Sequence, residues 1–255
     1  PLRNELKAKL DELLRKGIIV KENDPTEWIS NLVIVKTPKK LRLCIDPHHL
    51  NKALLRGEFE TPTFENITPE LTKARYFSVM DTKDGFWNCR LDEKSSRLTT
   101  FWTPFGRFRW ARLPFGLKVS GDEYQRRLHE IFDGIKNIII VQDDILVLGV
   151  GETDEEASLV HDQALRQLLA KAREVNLKFN EQKIKLKMRE VKYMGHIISN
   201  VGIKADPDKT RAIEEMRYLP REHKGSQELP WAGHLSVQIR AQFISNLRAF
   251  EEPSS

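Results

Sequence analysis

The sequence predicts an α+β fold. Short apolar runs that suit single strands recur along the chain, stretches with apolar residues at helical spacing stand between them, and the two kinds alternate irregularly. A doubly wound sheet would need regular alternation of strand and helix, so segregated helices on an antiparallel sheet fit better.

The elements follow in order. Leu2, Leu6, Leu10 and Leu13 stand at helical spacing and predict a helix over 2–16 that Gly17 ends. Ile18-Ile19-Val20 and Leu32-Val33-Ile34-Val35 read as short strands. Thr37-Pro38-Lys39-Lys40 reads as a basic hairpin turn, after which Leu41, Leu43 and Ile45 share one face of a strand and Arg42 takes the other. Phe77-Ser78-Val79-Met80 is an apolar run that ends in Asp81. A helix is predicted over 121–135, with Tyr124, Leu128, Ile131 and Phe132 on its stripe and Ser120 with Glu123 as a capping box. Ile138-Ile139-Ile140-Val141 and Ile145-Leu146-Val147-Leu148 are two more strands, separated only by Gln142, Asp143 and Asp144. A second long helix covers 158–175 with Leu165, Leu168, Leu169 and Ala172 inward, and Tyr193–Ile198 reads as one strand. Asp206-Pro207 starts a third helix, because Asp caps well and Pro suits the first helical position.

The chain has 255 residues and a mass of 29.7 kDa, which suits one or two domains. Apolar residues at 40% and charged residues at 31% exclude a disordered tail. The net charge of +5 and the pI near 9.1 suit a polyanionic partner. Two cysteines, Cys44 and Cys89, cannot build a disulfide scaffold or a four-ligand zinc site and read as reduced intracellular thiols. No apolar run approaches the roughly 18 residues that cross a bilayer, so no membrane is expected. The charged start, without Met, is no signal peptide and reads as a piece cut from a longer polyprotein.

Asp143-Asp144 is the most informative feature. Two adjacent acids between apolar strands repel one another and call for a positive partner. Mg²⁺ suits, since it takes a few carboxylate oxygens and leaves other sites to water or phosphate. Asp81, at the end of another apolar run, is the third acid. Three carboxylates at strand ends could hold two Mg²⁺ roughly 3.5–4 Å apart, a pair that activates a 3′-hydroxyl and steadies leaving pyrophosphate. The bland alternative is an ordinary acidic hairpin turn.

Longer stretches favour the sharper reading. Residues 81–91 read Asp-Thr-Lys-Asp-Gly-Phe-Trp-Asn-Cys-Arg-Leu, and residues 103–117 end in Arg-Leu-Pro-Phe-Gly-Leu. Gln-Asp-Asp-Ile-Leu-Val covers 142–147, and Asn-Leu-Lys-Phe-Asn then Tyr-Met-Gly-His-Ile-Ile-Ser follow within 176–203. This order and spacing resemble the reverse transcriptase of Ty3/Gypsy-type retrotransposons and, more distantly, of retroviruses, from about residue 5 to residue 219.

The resemblance implies a right-hand polymerase with an antiparallel palm sheet backed by helices. Fingers would span 1–56 and 89–119, palm 57–88 and 120–201, and an altered or truncated thumb 202–255. It implies an RNA-directed DNA polymerase working on primed RNA or DNA template with deoxynucleoside triphosphates. Two Mg²⁺ ions, or Mn²⁺ in their place, would be held by Asp81, Asp143 and Asp144. Phe86 matches the aromatic gate that excludes a 2′-hydroxyl, with plain core packing as the alternative. Arg42 matches a fingers arginine that grips the triphosphate with its planar fork; Lys39 or Lys40 would sit near the hairpin tip, where a solvated turn is the alternative. Leu113-Pro114-Phe115-Gly116 resembles the loop under the nascent base pair, where Gly116 would permit close backbone approach. Lys183 falls at a triphosphate lysine, and Met194, Gly195 and His196 fall in the primer grip. The implied location is cytoplasmic or nuclear, or within virus-like particles of an element; the oligomeric state stays open.

Charge agrees with this resemblance. Residues 171–192 hold eight Lys or Arg against three Glu, whereas 138–162 hold seven acids and no Lys or Arg. Basic surface for a phosphate backbone beside an acidic centre suits a polymerase, and a solvated helix face would also give the basic half.

The departures are specific. Val141 stands where the family has Tyr, a lost contact worth roughly 1–3 kcal/mol. Lys118-Val119-Ser120-Gly121 replaces Lys-Asn-Ala-Pro, Pro47-His48 replaces an aromatic–Arg pair, and Asn88 replaces Gln. After Leu219 the likeness fades: 221–230 is polar and irregular, and Phe243–Leu247 is a faint echo. No stretch reads as an RNase H, integrase or protease domain, so a degenerate or domesticated polymerase core is expected. An inactive nucleic-acid-binding relic and a nuclease using the same acids are the competing functions.

Overall fold

The structure, a computed structural model, describes residues 2–37, 41–55, 57, 59, 61–208, 210 and 211. Lys39 and Lys40, most of the expected thumb and the Phe243–Leu247 echo lie outside the described residues. The described chain divides into two compact units, one within residues 1–60 and 84–128, the other within 61–83 and from 129 onward.

The chain begins with helix α1 (Leu2–Arg15), strand β1 (Ile19–Lys21), strands β2 (Asn31–Lys36) and β3 (Leu41–Asp46), and helix α2 (His48–Ala53). Helix α3 (Phe64–Leu71) and strand β4 (Ala74–Asp81) follow, in the second unit. A short 3-10 turn (Gly85–Asn88), helix α4 (Glu93–Leu98), strands β5 (Phe101–Thr103) and β6 (Gly106–Trp110), and helix α5 (Ser120–Ile131) come next. Strands β7 (Ile138–Val141) and β8 (Asp144–Val150) and helix α6 (Asp154–Glu174) lead to β9 (Lys185–Met188), β10 (Glu190–Tyr193), β11 (His196–Ser199) and β12 (Gly202–Ala205).

In the first unit, β1-β6-β5 form one antiparallel sheet and β2-β3 a separate antiparallel pair. Helix α1 buries Leu6, Leu10 and Leu13, while Leu2, one turn earlier on the same stripe, stays exposed. The predicted capping box on α5 does not form. Ser120 lies inside the helix and its Oγ donates to the Pro114 carbonyl (2.8 Å). Glu123 is buried, and its carboxylate is taken by Arg126 (2.6 Å) and Arg127 (2.9 Å), because a buried acid needs cationic partners more than a cap needs an acid. Tyr124, Leu128 and Phe132 are buried as expected, and Ile131 is half-buried.

The second unit holds the sheet β7-β8-β4-β9, antiparallel throughout. Its middle strands are buried on both faces: Phe77, Ser78, Val79 and Met80 on β4, and Ile145 to Leu148 on β8. That is why these runs are continuously apolar rather than alternating. On one face Phe77, Val79, Leu146 and Leu148 cluster with Ile67 and Leu71 of α3 and with Val191, Tyr193 and Ile198. Each such fully buried side chain contributes roughly 1.5–3 kcal/mol.

The other face takes α6, whose start is set by a capping box of Thr153 and Glu156, four residues ahead of the predicted 158. The buried stripe is Ala157, His161, Ala164, Leu168 and Ala172. Leu168 and Ala172 are buried as expected, but Leu165 is only half-buried and Leu169 is 41% exposed, so the predicted inward face is partly rotated. Close approach explains the shift. A Cβ at Gly149 of β8 would lie 2.5 Å from the Ala157 carbonyl, so the helix rests on strand backbone and admits small residues. His161 bridges helix and sheet: its Nε2 lies 2.7 Å from Ser78 Oγ, and its Nδ1 lies 3.0 Å from Asp162 Oδ1.

Residues 193–198, predicted as one strand, form a hairpin instead. Met194 (φ 48°) and Gly195 (φ 78°) turn the chain between β10 and β11, and Tyr193 pairs with His196. Positive φ at both central residues matches the twist of a tight hairpin. Asp206 starts the expected helical turn, its Oδ1 accepting from Asp208 N and its carbonyl from Thr210 N. Among the described residues no helix is long and apolar enough to cross a membrane.

Candidate active site

The acids of the second unit meet at strand ends. Asp81 is the last residue of β4 and Asp144 the first of β8, and they are direct cross-strand partners. Side chains opposite one another on neighbouring strands share a face, so the two carboxylates lie side by side. Gln142 and Asp143 form the two-residue turn of the β7-β8 hairpin, with Gln142 at φ 53°. Thr82 N donates to the Asp143 carbonyl (2.9 Å), which ties this turn to the chain leaving β4. Among the described residues, no group of three or more His, Cys, Asp or Glu side chains is arranged to hold a metal ion.

Asp144 keeps solvent access, yet the protein packed around its carboxylate raises its pKa; the Asp81 carboxylate adds to this and Lys183 opposes it. Lys183 Nζ lies 2.6 Å from Asp81 Oδ2. The segment carrying it is tied to the same strand end: Asn180 N donates to the Asp81 carbonyl (2.8 Å), and Lys183 N donates to the Asn180 carbonyl (2.9 Å).

The donor set fits a hard divalent cation. Mg²⁺ is ordinarily held by one or two carboxylates, with water and phosphate completing the shell, so two facing carboxylates suffice without an all-protein cage. Oxygen is also the ligand type that Mg²⁺ and Mn²⁺ prefer.

Sequence reasoning missed Tyr193 as a support. Its buried hydroxyl donates to the Asp144 carbonyl (3.2 Å), and burial, then the Asp144 carboxylate, push its pKa up, so it stays a neutral donor. Met194 and Gly195 occupy the adjoining turn. His196 stacks on Phe64 (centroids 3.7 Å apart, planes 12° apart), and its Nδ1 lies 3.2 Å from the Met194 carbonyl, which can only accept. Val141 pairs with Asp144 and packs against the apolar cluster of this unit.

The remaining expected residues lie in the first unit. Arg42 is exposed on β3, on the face opposite buried Leu43 and Ile45. Phe86 is half-buried against Phe115 (4.9 Å) and Tyr124 (5.6 Å). Gly85 beside it has no room for a side chain, since a Cβ would lie 2.7 Å from the Tyr124 ring. Gly116 (φ 112°) is required by the chain itself: a Cβ there would lie 2.5 Å from the Ile45 carbonyl oxygen. Asn51 also went unnoticed. Its amide donates to the Gly116 carbonyl (3.0 Å) and accepts from Lys118 N (2.9 Å), bracing the loop on both sides. A groove of about 600 Å³ opens here, lined among others by Val33, Asp46, His48, Asn51 and Gly116. Asn51 lies outside the motifs, and Tyr193, though it heads the Tyr-Met-Gly-His string, carries no local sign of its partner; only the fold brings each polar side chain to the group it braces. Cys89 is buried with its thiol pushed up to about 12, and neither cysteine is in a disulfide.

The family model described as reverse transcriptase (RNA-dependent DNA polymerase) matches residues 34–198. The retrovirus-related Pol polyprotein from transposon 412 of Drosophila melanogaster is 33% identical over 219 residues, covering 82% of this chain and 17% of that protein. The corresponding polyprotein from transposon gypsy of the same organism is 30% identical, with 84% and 20% covered. The chain thus spans about a fifth of the length of these curated relatives. Among solved structures, a foamy viral protease-reverse transcriptase in complex with double-stranded DNA superposes with a TM-score of 0.72 at 22% identity, over 85% of this chain and 37% of that one. The fold is therefore the α+β polymerase fold, and the chain belongs to the reverse transcriptase (RNA-dependent DNA polymerase) family, of the type found in LTR-retrotransposon Pol polyproteins.

Proposed function

We propose that this domain is an RNA-directed DNA polymerase that adds deoxynucleotides to a primer annealed to RNA or DNA template, using Asp81, Asp143 and Asp144. The observation that carries this reading is the facing pair Asp81–Asp144 at the strand ends, in a chain of this family. Bound Mg²⁺ or Mn²⁺ would supply charge stabilisation for the attacking and leaving oxygens. Asp81 and Asp144 would hold it, and Asp143 beside them would complete the acidic edge. Tyr193 keeps the Asp144 strand in place through its carbonyl. The turn at Met194 and Gly195, with His196 locked on Phe64, offers a stiff ledge for a primer end. Arg42 would grip the triphosphate and Phe86 would reject a ribose 2′-hydroxyl.

A primer-extension assay on an RNA template tests this directly. Mg²⁺-dependent incorporation that is lost in Asp144→Asn supports the polymerase. Template binding without extension supports the inactive relic, which Val141 favours, since an aliphatic side chain packed on the core offers no ring to stack on a base.

Two further outcomes are expected. Phe86→Ala increases ribonucleotide use relative to deoxynucleotide by about 10–100-fold, the range a single steric contact commands; unchanged discrimination in competitive incorporation removes the gate role. Arg42→Ala raises the apparent KM for nucleotide by about tenfold, as loss of one charged phosphate contact predicts. Template affinity measured by anisotropy stays within about twofold; an equal loss in both would refute the assignment of Arg42 to the triphosphate.

A further inference from the structure

We infer that Lys183 is the resident counter-ion of the Asp81–Asp144 pair, holding the carboxylates together without a divalent cation and releasing Asp81 when one binds. This rests on the proposed reading of those acids as a cation site and adds a competitor to it. Two carboxylates that face one another across antiparallel strands repel, and the repulsion opposes pairing at the end of β4. The ammonium of Lys183, 2.6 Å from Asp81 Oδ2, offsets it.

The attachment is built for exchange. The backbone of Lys183 is fixed to the strand end through Asn180, which donates to the Asp81 carbonyl. Its side chain is 60% exposed, whereas that of Asp81 is 15% exposed. The anchor point stays and the long side chain can leave for solvent or for a nucleotide phosphate. A compact ammonium on a flexible stem is suited to this, being a point charge without the fixed fork of an arginine. A divalent cation carries twice the charge of the ammonium, and Asp81 and Asp144 would be the residues to hold it. Lys183 would then give up Asp81, and the cost of that release would lower the apparent affinity of the site for the cation.

The test uses the whole chain without nucleic acid. Free Mn²⁺ is titrated by electron paramagnetic resonance against wild type, Lys183→Met, Lys183→Gln, Lys183→Arg and Asp144→Asn, with thermal melting in EDTA alongside. Removing the competitor should tighten Mn²⁺ binding roughly fivefold in both neutral variants, the scale of one partly exposed ion pair. Both should melt below wild type in EDTA, and the deficit should close on adding Mn²⁺. Lys183→Arg should keep wild-type melting in EDTA and should bind Mn²⁺ no more tightly than wild type, since its charge stays and its fork holds the carboxylate at least as firmly. Two neutral variants keep the result readable should one fold poorly. Unchanged or weaker Mn²⁺ affinity in the neutral variants, with binding still lost in Asp144→Asn, overturns the counter-ion role while leaving the cation site intact. Absence of Mn²⁺ binding in wild type and neutral variants alike overturns both.

Discussion

Asp144→Asn is expected to lower primer extension by at least about 10²–10³-fold, the usual result of deleting a group that stabilises transition-state charge, while raising thermal stability in EDTA. Burial and the neighbouring Asp81 raise the Asp144 pKa above its ordinary 3.8. A carboxyl with a raised pKa in the folded state disfavours its own ionisation there. The fold is thus relatively more stable below the ordinary value, and this advantage is lost as pH rises through the raised value. At neutral pH the ionised Asp144 burdens the fold, and asparagine, of the same shape, does not. The gain is modest because the group keeps solvent access: a degree or two in Tm, on the order of 0.5 kcal/mol. Melting curves from about pH 4 to 7 read it out, with the variant flatter than wild type above the ordinary carboxylate value. A lower melting temperature for the variant at pH 7 would contradict this account of Asp144. Loss of activity with gain of stability is also what separates a functional acid from a structural one.

Gly149→Ala should do the reverse and strike the scaffold. The added methyl would lie 2.5 Å from the Ala157 carbonyl, 2.9 Å from His161 Cβ and 3.0 Å from Tyr76 Cβ, all rigid neighbours. Either α6 moves off the sheet or the strand bends, and overpacking of this severity costs roughly 2–4 kcal/mol. For a chain of this length that is a fall of roughly 5–15 °C in Tm. Gly121→Ala is the control: it lies in α5, has nothing within 4 Å and no positive φ, so the change should be neutral or slightly stabilising. Equal melting temperatures for the two variants would show that α6 does not rest on β8 as described.

Much of the site was legible because its residues sit in short contiguous strings. Asp143-Asp144 between two apolar runs marks a hairpin tip by local chemistry alone, and the run ending in Asp81 marks a strand end. The α+β class followed from irregular alternation, and the structure agrees, with antiparallel sheets in both units. The face of α6 was legible only in part: Leu168 and Ala172 are buried as expected, but the stripe also includes Ala157, Ala164 and a histidine, while Leu159 and Leu169 face solvent. Hydropathy ranks Leu above Ala, but a helix pressed on a glycine of the strand selects for size first. The hairpin at Met194-Gly195 was hidden for a related reason: Met is not a turn residue by preference, and only pairing of Tyr193 with His196 shows that the chain reverses.

The sequence by itself determined the family, the mixed fold class and the placement of Asp81, Asp143 and Asp144 at strand ends and in a hairpin turn, since each is written in local strings whose meaning needs no distant partner. The tertiary structure alone decided which carboxylates face one another, that an ammonium 102 positions away from Asp81 neutralises it, and that a phenol and an asparagine brace the two loops. Pairings across such separations depend on strand register and chain reversal, and those are settled only when the whole sheet has closed.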